Sequence, residues 1–490
     1  MFDRRDFLAA LAGAIAAPVA ARAEAPLTSI RPKRRGQPET TGRQTDAESL
    51  VAAAKLGGAT AFVVLDAATG QVLAARDEGV GMPPASVLKS VTSLFAIEHL
   101  GHGFQYRTRV LATGPVVNGL VQGDIVLEGA GDPTLQTDQL GDLVRRLAEA
   151  GVKGATGRLL IWDRALPFVA RIAADQPVQV GYNPGISGLN LNFNRVHFAW
   201  KAQGSGQWGL TMDARGERFL PPVAMARIAV EPRNSPIFTF SDAGEAETWT
   251  VASSALNKEG SRWLPVRHPA KYVAEVFHTL ARAQGIALPP PVTVETRPAG
   301  QELAAVESEP LDAVLKDMLK FSTNLTAEAV GLRASGRGDL PTSSAAMTDW
   351  LTQRFGVTPQ LVDHSGLGSA SRVTALQMAT ILQKGHQAGM GLKPLLRDIG
   401  MRDKEGKTIK GHPVQVVAKS GTLNFVSGLA GHITPPQGRE LVFAIFSADL
   451  ERRERLTGDD RETPPGGKAW NGRARALQGQ LISLWASALA

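Results

Sequence analysis

Ser86 and Lys89 stand three residues apart in Ser86-Val87-Leu88-Lys89, a spacing that brings a hydroxyl and an amine to one face of a helix. A serine hydroxyl of ordinary acidity is a poor nucleophile. With a neutral amine to take its proton and backbone N–H groups to hold a developing oxyanion, it can attack a carbonyl. Residues at a helix start keep free N–H groups suited to the second task. Taken alone, such a tetrad also describes a serine helix cap beside a solvated lysine. Two further groups argue against that bland reading. Ser322-Thr323-Asn324 adds a hydroxyl and an amide, and Lys419-Ser420-Gly421-Thr422 adds a second cation and two more hydroxyls. Ser-x-x-Lys, Ser-x-Asn and Lys-Ser/Thr-Gly each occur once in the chain. We read the constellation as catalytic.

The surrounding patterns say what must position these residues. Ala59 to Asp66, a Thr69-Gly70 turn and Gln71 to Arg76 predict a β-hairpin. After Pro83-Pro84, apolar residues at 87, 91, 94 and 95 predict a helix from Ser86 to Leu100, stopped by Gly101, with Ser86 at its N-terminus. Leu311 to Lys320 reads as a helix leading to Ser322, and Pro413 to Ala418 as a strand leading to Lys419. The long interval between Ser86 and Ser322 holds an insertion. Within it, residues 107–165 read as strands, a helix from Asp138 to Gly151 and a strand from Arg158 to Asp163; residues 166–255 read as a β-rich excursion; and a helix from Pro269 to Gly285 leads back.

Composition narrows the chemistry. The chain has 490 residues, 43% of them hydrophobic and 20% charged, with a formal charge of +7, as expected of a folded protein with several domains. It contains no cysteine, which removes thiol nucleophiles, disulfides and Cys-ligated zinc. Neither His-Glu-x-x-His nor Gly-x-Ser-x-Gly occurs. His99 and His102 read as helix C-terminal residues favoured by the helix dipole rather than as metal ligands, so no metal and no cofactor are expected. Arg4-Arg5, an apolar stretch from Phe7 to Ala21 and Ala21-Arg22-Ala23 form a twin-arginine export signal over residues 1–23, which predicts periplasmic location and leaves no transmembrane span in the mature chain. Residues 24–46 read as a flexible basic linker. Its Arg31, Lys33, Arg34 and Arg35 could give weak envelope association, and the lack of interleaved aromatics argues against nucleic acid.

The three motifs, in this order, resemble those of the penicillin-recognising serine enzymes. Gly131-Asp132-Pro133-Thr134-Leu135, Tyr182-Asn183-Pro184 through Asn190-Leu191-Asn192-Phe193-Asn194, and Asp363-His364-Ser365-Gly366-Leu367 narrow the likeness. The chain is similar to the penicillin-binding-protein 4-like D-alanyl-D-alanine carboxypeptidases and endopeptidases (peptidase family S13) over nearly all of its mature length. The resemblance implies an α/β (α+β) transpeptidase or β-lactamase-like domain, residues 47–106 and 300–490, with a large β-rich insertion of two domains, residues 107–165 with 256–299 and residues 166–255.

It also implies roles. Ser86 attacks the carbonyl of a D-Ala-D-Ala amide in a peptidoglycan stem peptide, and Lys89 takes its proton. Ser322 relays the proton to the leaving amine, and Asn324 bonds the substrate or Lys89. Lys419, with Ser420 and Thr422, holds the terminal carboxylate, and the N–H groups of Ser86 and Thr422 form the oxyanion hole. Gly421 and Asn424 are also expected to bind substrate, and Asp175 is a further polar candidate. β-Lactams are expected as covalent inhibitors. The sequence departs from the family in Ser420 where Thr is usual, in His364 for Gly, and in Ser369, where an Arg that grips the stem-peptide diamino acid is common. The alternatives are a β-lactamase, which normally needs a dedicated Glu between the first two motifs, and a non-catalytic wall-binding protein.

Overall fold

The computed structural model describes residues 41–401 and 408–489, apart from 205 and 245 and from the side chains of 41–45. The export signal and most of the basic lead lie outside the described residues. The lead was expected to run to residue 46, but its last residues belong to a helix, Thr41–Ala54.

The predicted hairpin forms: Ala59–Asp66 and Val72–Arg76 pair antiparallel. It is one end of a six-stranded antiparallel sheet. The order continues through Leu441–Ala448, Val426–Thr434 and Gln415–Leu423 to a short edge strand, Arg397–Asp398. Alternate residues leave opposite faces of a strand, and this sheet is covered on both. Ala61, Val63, Leu65, Ala444 and Phe446 pack with the Leu88–Leu100 and Ala375–Gln387 helices. Phe62, Val64, Phe443 and Ile445 pack with Thr41–Ala54 and the Gly467–Ala488 helix, where Trp485 lies 5.4 Å from Phe62. Continuous apolar runs in these strands are the mark of two-sided burial.

The insertion leaves this core after the Leu88–Leu100 helix. A five-stranded sheet comes first, in the order Pro291–Thr293, Leu159–Trp162, Ile125–Glu128, Arg107–Ala112, Gln301–Glu307. Helices Thr137–Glu149 and Pro269–Ala283 bury their apolar sides against it. Two three-stranded sheets follow, one of Gln207–Asp213, Arg195–Gly204 and Gly260–Pro265, the other of Ala226–Glu231, Glu247–Ala252 and Phe238–Asp242.

Two expected boundaries move. Gln301–Glu307, assigned from sequence to the catalytic domain, pairs with Arg107–Ala112. Gly260–Pro265, assigned to the first inserted domain, pairs with Arg195–Gly204. In both, long-range strand pairing decides membership, and the local Pro and Gly signals used to draw the boundary do not record it.

Phe443 is fully buried between the sheet and Trp485. Phe443→Ala is expected to cost about 3–5 kcal/mol in denaturant unfolding; a loss below about 1 kcal/mol would show that this face is not a packed core.

Candidate active site

Lys89 is fully buried, and its Nζ meets three oxygens: Ser86 Oγ at 2.9 Å, Asn324 Oδ1 at 2.7 Å and the Ser365 carbonyl at 2.9 Å. Removal from water disfavours the ammonium, and the nearby Lys419 cation adds to that effect. Against the pull of Glu328 and Asp363, the amine is brought down to about 7. Asn324 and Ser365 offer only acceptors to it, and they claim two of its hydrogens. Once neutral, the amine therefore points its lone pair at Ser86.

Three pieces of backbone set this geometry. The first is the turn that carries Ser86. It is a 3₁₀ segment, Ala85–Val87, that runs directly into the Leu88–Leu100 helix, with Ala85 in the left-handed region at φ 46°. Two glycines leave room for it. A methyl on Gly366, itself at φ 76°, would overlap the Ala85 carbonyl, and one on Gly421 would lie 2.9 Å from the Ser86 nitrogen. The second is Ser322, a left-handed C-cap at φ 61° on the Leu311–Phe321 helix. A non-glycine residue held in this conformation stores strain. Here the turn places Ser322 Oγ 3.0 Å from Lys419 Nζ. The third is the loop from Asp363 to Gly368. Asp363 accepts from the N–H groups of Gly366 (2.9 Å) and Gly368 (2.6 Å), and Glu328 accepts from those of His364 (3.0 Å) and Ser365 (2.9 Å). Both carboxyls are buried, which raises their pKa values, and Asp363 raises that of Glu328 further.

Asn324 is held from both sides. Its Oδ1 accepts from Lys89, and its Nδ2 donates to the carbonyl of Tyr182 at 2.9 Å, a residue of the insertion. The two bonds fix which way the amide faces. Lys419 is also buried, and burial with the Arg397 charge brings it down to about 8.

A cavity of about 330 Å3 opens on Ser86, Ser322, Asn324, Thr422 and Asn424, and Tyr182 and Arg453 complete its outer wall. The insertion is braced there by Glu462, which pairs with Arg262 at 2.5 Å and accepts from Gln179 at 2.8 Å. The Asn424 side chain donates to the Arg461 carbonyl, so part of its hydrogen-bonding capacity is already used. Ser86, Lys89, Ser322, Asn324 and Lys419 are thus brought together, with Gly421 against Ser86. Ser420 faces a different cavity. His99 bonds the Phe95 carbonyl and His102 pairs with Asp312, so the two histidines do not converge.

The sequence reading assigned no role to Glu328, Ser365, Tyr182 or Arg453. Glu328 follows Asn324 by four residues, one helical turn on the same side, which was a usable signal. Ser365 and Tyr182 act through carbonyls, and no side-chain pattern announces those.

The chain is similar to known proteins along most of its length. A family described as D-Ala-D-Ala carboxypeptidase 3 (S13) matches residues 44–462. A carboxypeptidase of Mycobacterium tuberculosis is 28% identical over 432 residues, 82% of this chain and 79% of that protein. A D-alanyl-D-alanine carboxypeptidase of Actinomadura sp. is 28% identical over 430 residues, 80% of this chain and 78% of that protein. Among solved structures, penicillin binding protein 4 from Haemophilus influenzae superposes with a TM-score of 0.71 at 21% identity, covering 89% of this chain and 99% of that one.

Gly366→Ala should displace the Ser86 turn while leaving the distant sheets folded. Serine acylation is expected to fall roughly a hundredfold with an unchanged far-ultraviolet spectrum; acylation at the wild-type rate would mean that the close approach to Ala85 does not position Ser86.

Proposed function

Because the chain belongs to the D-Ala-D-Ala carboxypeptidase 3 (S13) family, a family of serine peptidases, we infer that its carboxypeptidase reaction on peptidoglycan stem peptides runs through a Ser86 acyl-enzyme. The observation that carries this assignment is the Lys89 amine, buried, brought near neutrality and aimed at Ser86 Oγ. Neutral Lys89 takes the serine proton as Oγ adds to the D-alanine carbonyl. The amide C–N bond then breaks, and the proton reaches the leaving nitrogen through Ser322. Water repeats the sequence and frees the acyl group.

Lys419 stays protonated beside Ser322 and, with Thr422, holds the terminal carboxylate as a charge-assisted acceptor; Ser420, expected to share this task, faces the other cavity. The N–H groups of Ser86 and Thr422 hold the oxyanion. Asn324 orients Lys89 rather than reacting. A β-lactam presents a similar carbonyl and carboxylate and would acylate the same serine.

A β-lactamase reading requires a base that drives fast deacylation. Glu328 and Asp363 are buried acids near Lys89, but the oxygens of Glu328 are engaged by the His364 and Ser365 backbone and those of Asp363 by the Gly366 and Gly368 backbone.

The substrate places the enzyme's work outside the cytoplasm. The twin-arginine signal supports export in the folded state to the periplasm, with the basic lead giving weak attraction to the envelope. Among the described residues no helix is long and apolar enough to cross a membrane.

Incubation with benzylpenicillin followed by intact mass should give a lasting adduct on Ser86, absent in Ser86→Ala, together with release of D-alanine from a pentapeptide. An adduct lost within seconds would support the β-lactamase reading, and its absence the non-catalytic one. The acylation rate should be bell-shaped in pH. It rises as Lys89 loses its proton near pH 7 and falls as Lys419 loses its own near pH 8, from amines at about 7 and about 8. A rate flat from pH 6 to 9 would remove Lys89 as the base.

A further inference from the structure

Position 364, where the resembled family usually has Gly, carries in this chain a fully buried histidine. It stands between two residues that serve the site: Asp363, whose carboxyl accepts from Gly366 and Gly368, and Ser365, whose carbonyl meets Lys89 at 2.9 Å. The reaction described above uses neither the imidazole nor its partners.

Three helices grip this histidine. From the Leu88–Leu100 helix, Thr92 Oγ1 donates to its carbonyl at 2.6 Å, and the Phe95 ring lies nearly parallel to the imidazole with centroids 6.4 Å apart. From the Leu340–Phe355 helix, Ser343 Oγ lies 2.7 Å from Nε2. The third is the Asn324–Ser335 helix, on which Asn324, Glu328 and Gly331 follow at spacings of four and three and so share one side. Along that side the Asn324 amide takes Lys89, the Glu328 carboxyl takes the N–H groups of His364 and Ser365, and Gly331 leaves room for the imidazole. A methyl on Gly331 would lie 2.2 Å from His364 Cγ. Glycine inside a helix is unfavourable relative to alanine, so the room is kept at the expense of helix stability.

The imidazole does more than fill space. Among the described residues its Nδ1 has no hydrogen-bond partner, a penalty that a buried apolar side chain would not incur. What histidine adds over such a side chain is the bond to Ser343. Burial holds the ring neutral, bringing it down to about 3. It therefore adds no charge to the balance that Lys419, Glu328 and Asp363 set at Lys89.

We propose that His364 is a positioning residue for acylation: wedged against Gly331 and bonded to Ser343, it fixes the loop from Asp363 to Gly368 so that the Ser365 carbonyl stays on Lys89 and water stays out. The proposal rests on the Ser86 acyl-enzyme reading and gives that reaction a residue that never touches substrate. His364 acts through Lys89. When the loop loosens, the amine loses a fixed acceptor and gains water, which favours the ammonium form. The base is then protonated at a pH where the native enzyme has it free.

The test follows benzylpenicillin acylation of the full-length mature enzyme by intact mass across about pH 6 to 9, with thermal midpoints measured alongside. His364→Gly is expected to acylate about tenfold or more slowly at neutral pH, and the rising limb of its pH profile should move upward by roughly half a pH unit or more. His364→Gln can still reach Ser343 and should hold the rate within about threefold of wild type. Gly331→Ala alone crowds the imidazole and should lower both rate and midpoint. In the double variant His364→Gly with Gly331→Ala, the methyl takes the vacated space, so the midpoint should return toward wild type while the rate and the rising limb stay displaced. Wild-type kinetics in His364→Gly overturn the proposal, as does a His364→Gln enzyme as slow as His364→Gly. So does a rate that recovers with the midpoint in the double variant, or a slowed enzyme whose rising limb has not moved, since either leaves the histidine a packing residue alone. Absence of any adduct on the wild-type enzyme would instead bring down the acyl-enzyme reading on which the proposal stands.

Discussion

The constraint on which the site depends is the burial of a lysine amine among a fixed set of oxygens. In water the Lys89 ammonium would be stable and useless as a base. Inside the protein it loses its hydration, and it cannot regain it from Asn324, Ser365 and Ser86 alone. The neighbouring Lys419 charge works in the same direction, while Glu328 and Asp363 limit the shift. The balance leaves the amine near neutrality without expelling it from the site. Geometry then adds direction, because two of the three oxygens only accept.

Meeting that constraint takes elements far apart in the chain. The Leu88–Leu100 helix supplies Lys89, the helix starting at Asn324 supplies the amide and Glu328, and the Asp363–Gly368 loop supplies the Ser365 carbonyl. The insertion takes part as well: its Tyr182 carbonyl fixes the Asn324 amide from the opposite side. Two of the nine left-handed non-glycine residues among the described residues lie in the same place. Ala85 and Ser322 are both left-handed, and each sits directly at a hydroxyl of the candidate site. Such conformations persist only where the surroundings over-determine them; here Gly366, Gly421 and Lys419 do so.

The candidate site was legible in the sequence because it is built from side chains with rare spacings. Ser86 with Lys89, Ser322 with Asn324, and Lys419 needed only the helix and strand periods to be placed, and the elements that carry them lie within a few residues of expectation. What was not legible is what backbone does over long distances. The Ser365 and Tyr182 carbonyls have no signature. The pairing of Gln301–Glu307 with Arg107–Ala112 joins segments that no local pattern connects. The side of the strand to which Ser420 turns was equally hidden, because the pleat alternates and the motif does not record the cavity behind it.

The sheet edge links these observations. An uncovered edge strand is a hazard, since its unpaired N–H and C=O groups invite another chain. Here Arg397–Asp398 pairs with the strand only as far as Val417 and Ala418, and among the described residues no strand covers its course from Lys419 to Leu423 on that side. The uncovered stretch coincides with the Lys419-Ser420-Gly421-Thr422 motif, with the Ser86 backbone against Gly421 and with Thr422, which lines both the cavity at Ser86 and the cavity that Ser420 faces. An extended peptide can use such an edge as a template through main-chain hydrogen bonds. The short neighbouring strand therefore has two effects. It covers the edge as far as Ala418, and by ending there it leaves open the segment that lies against Ser86.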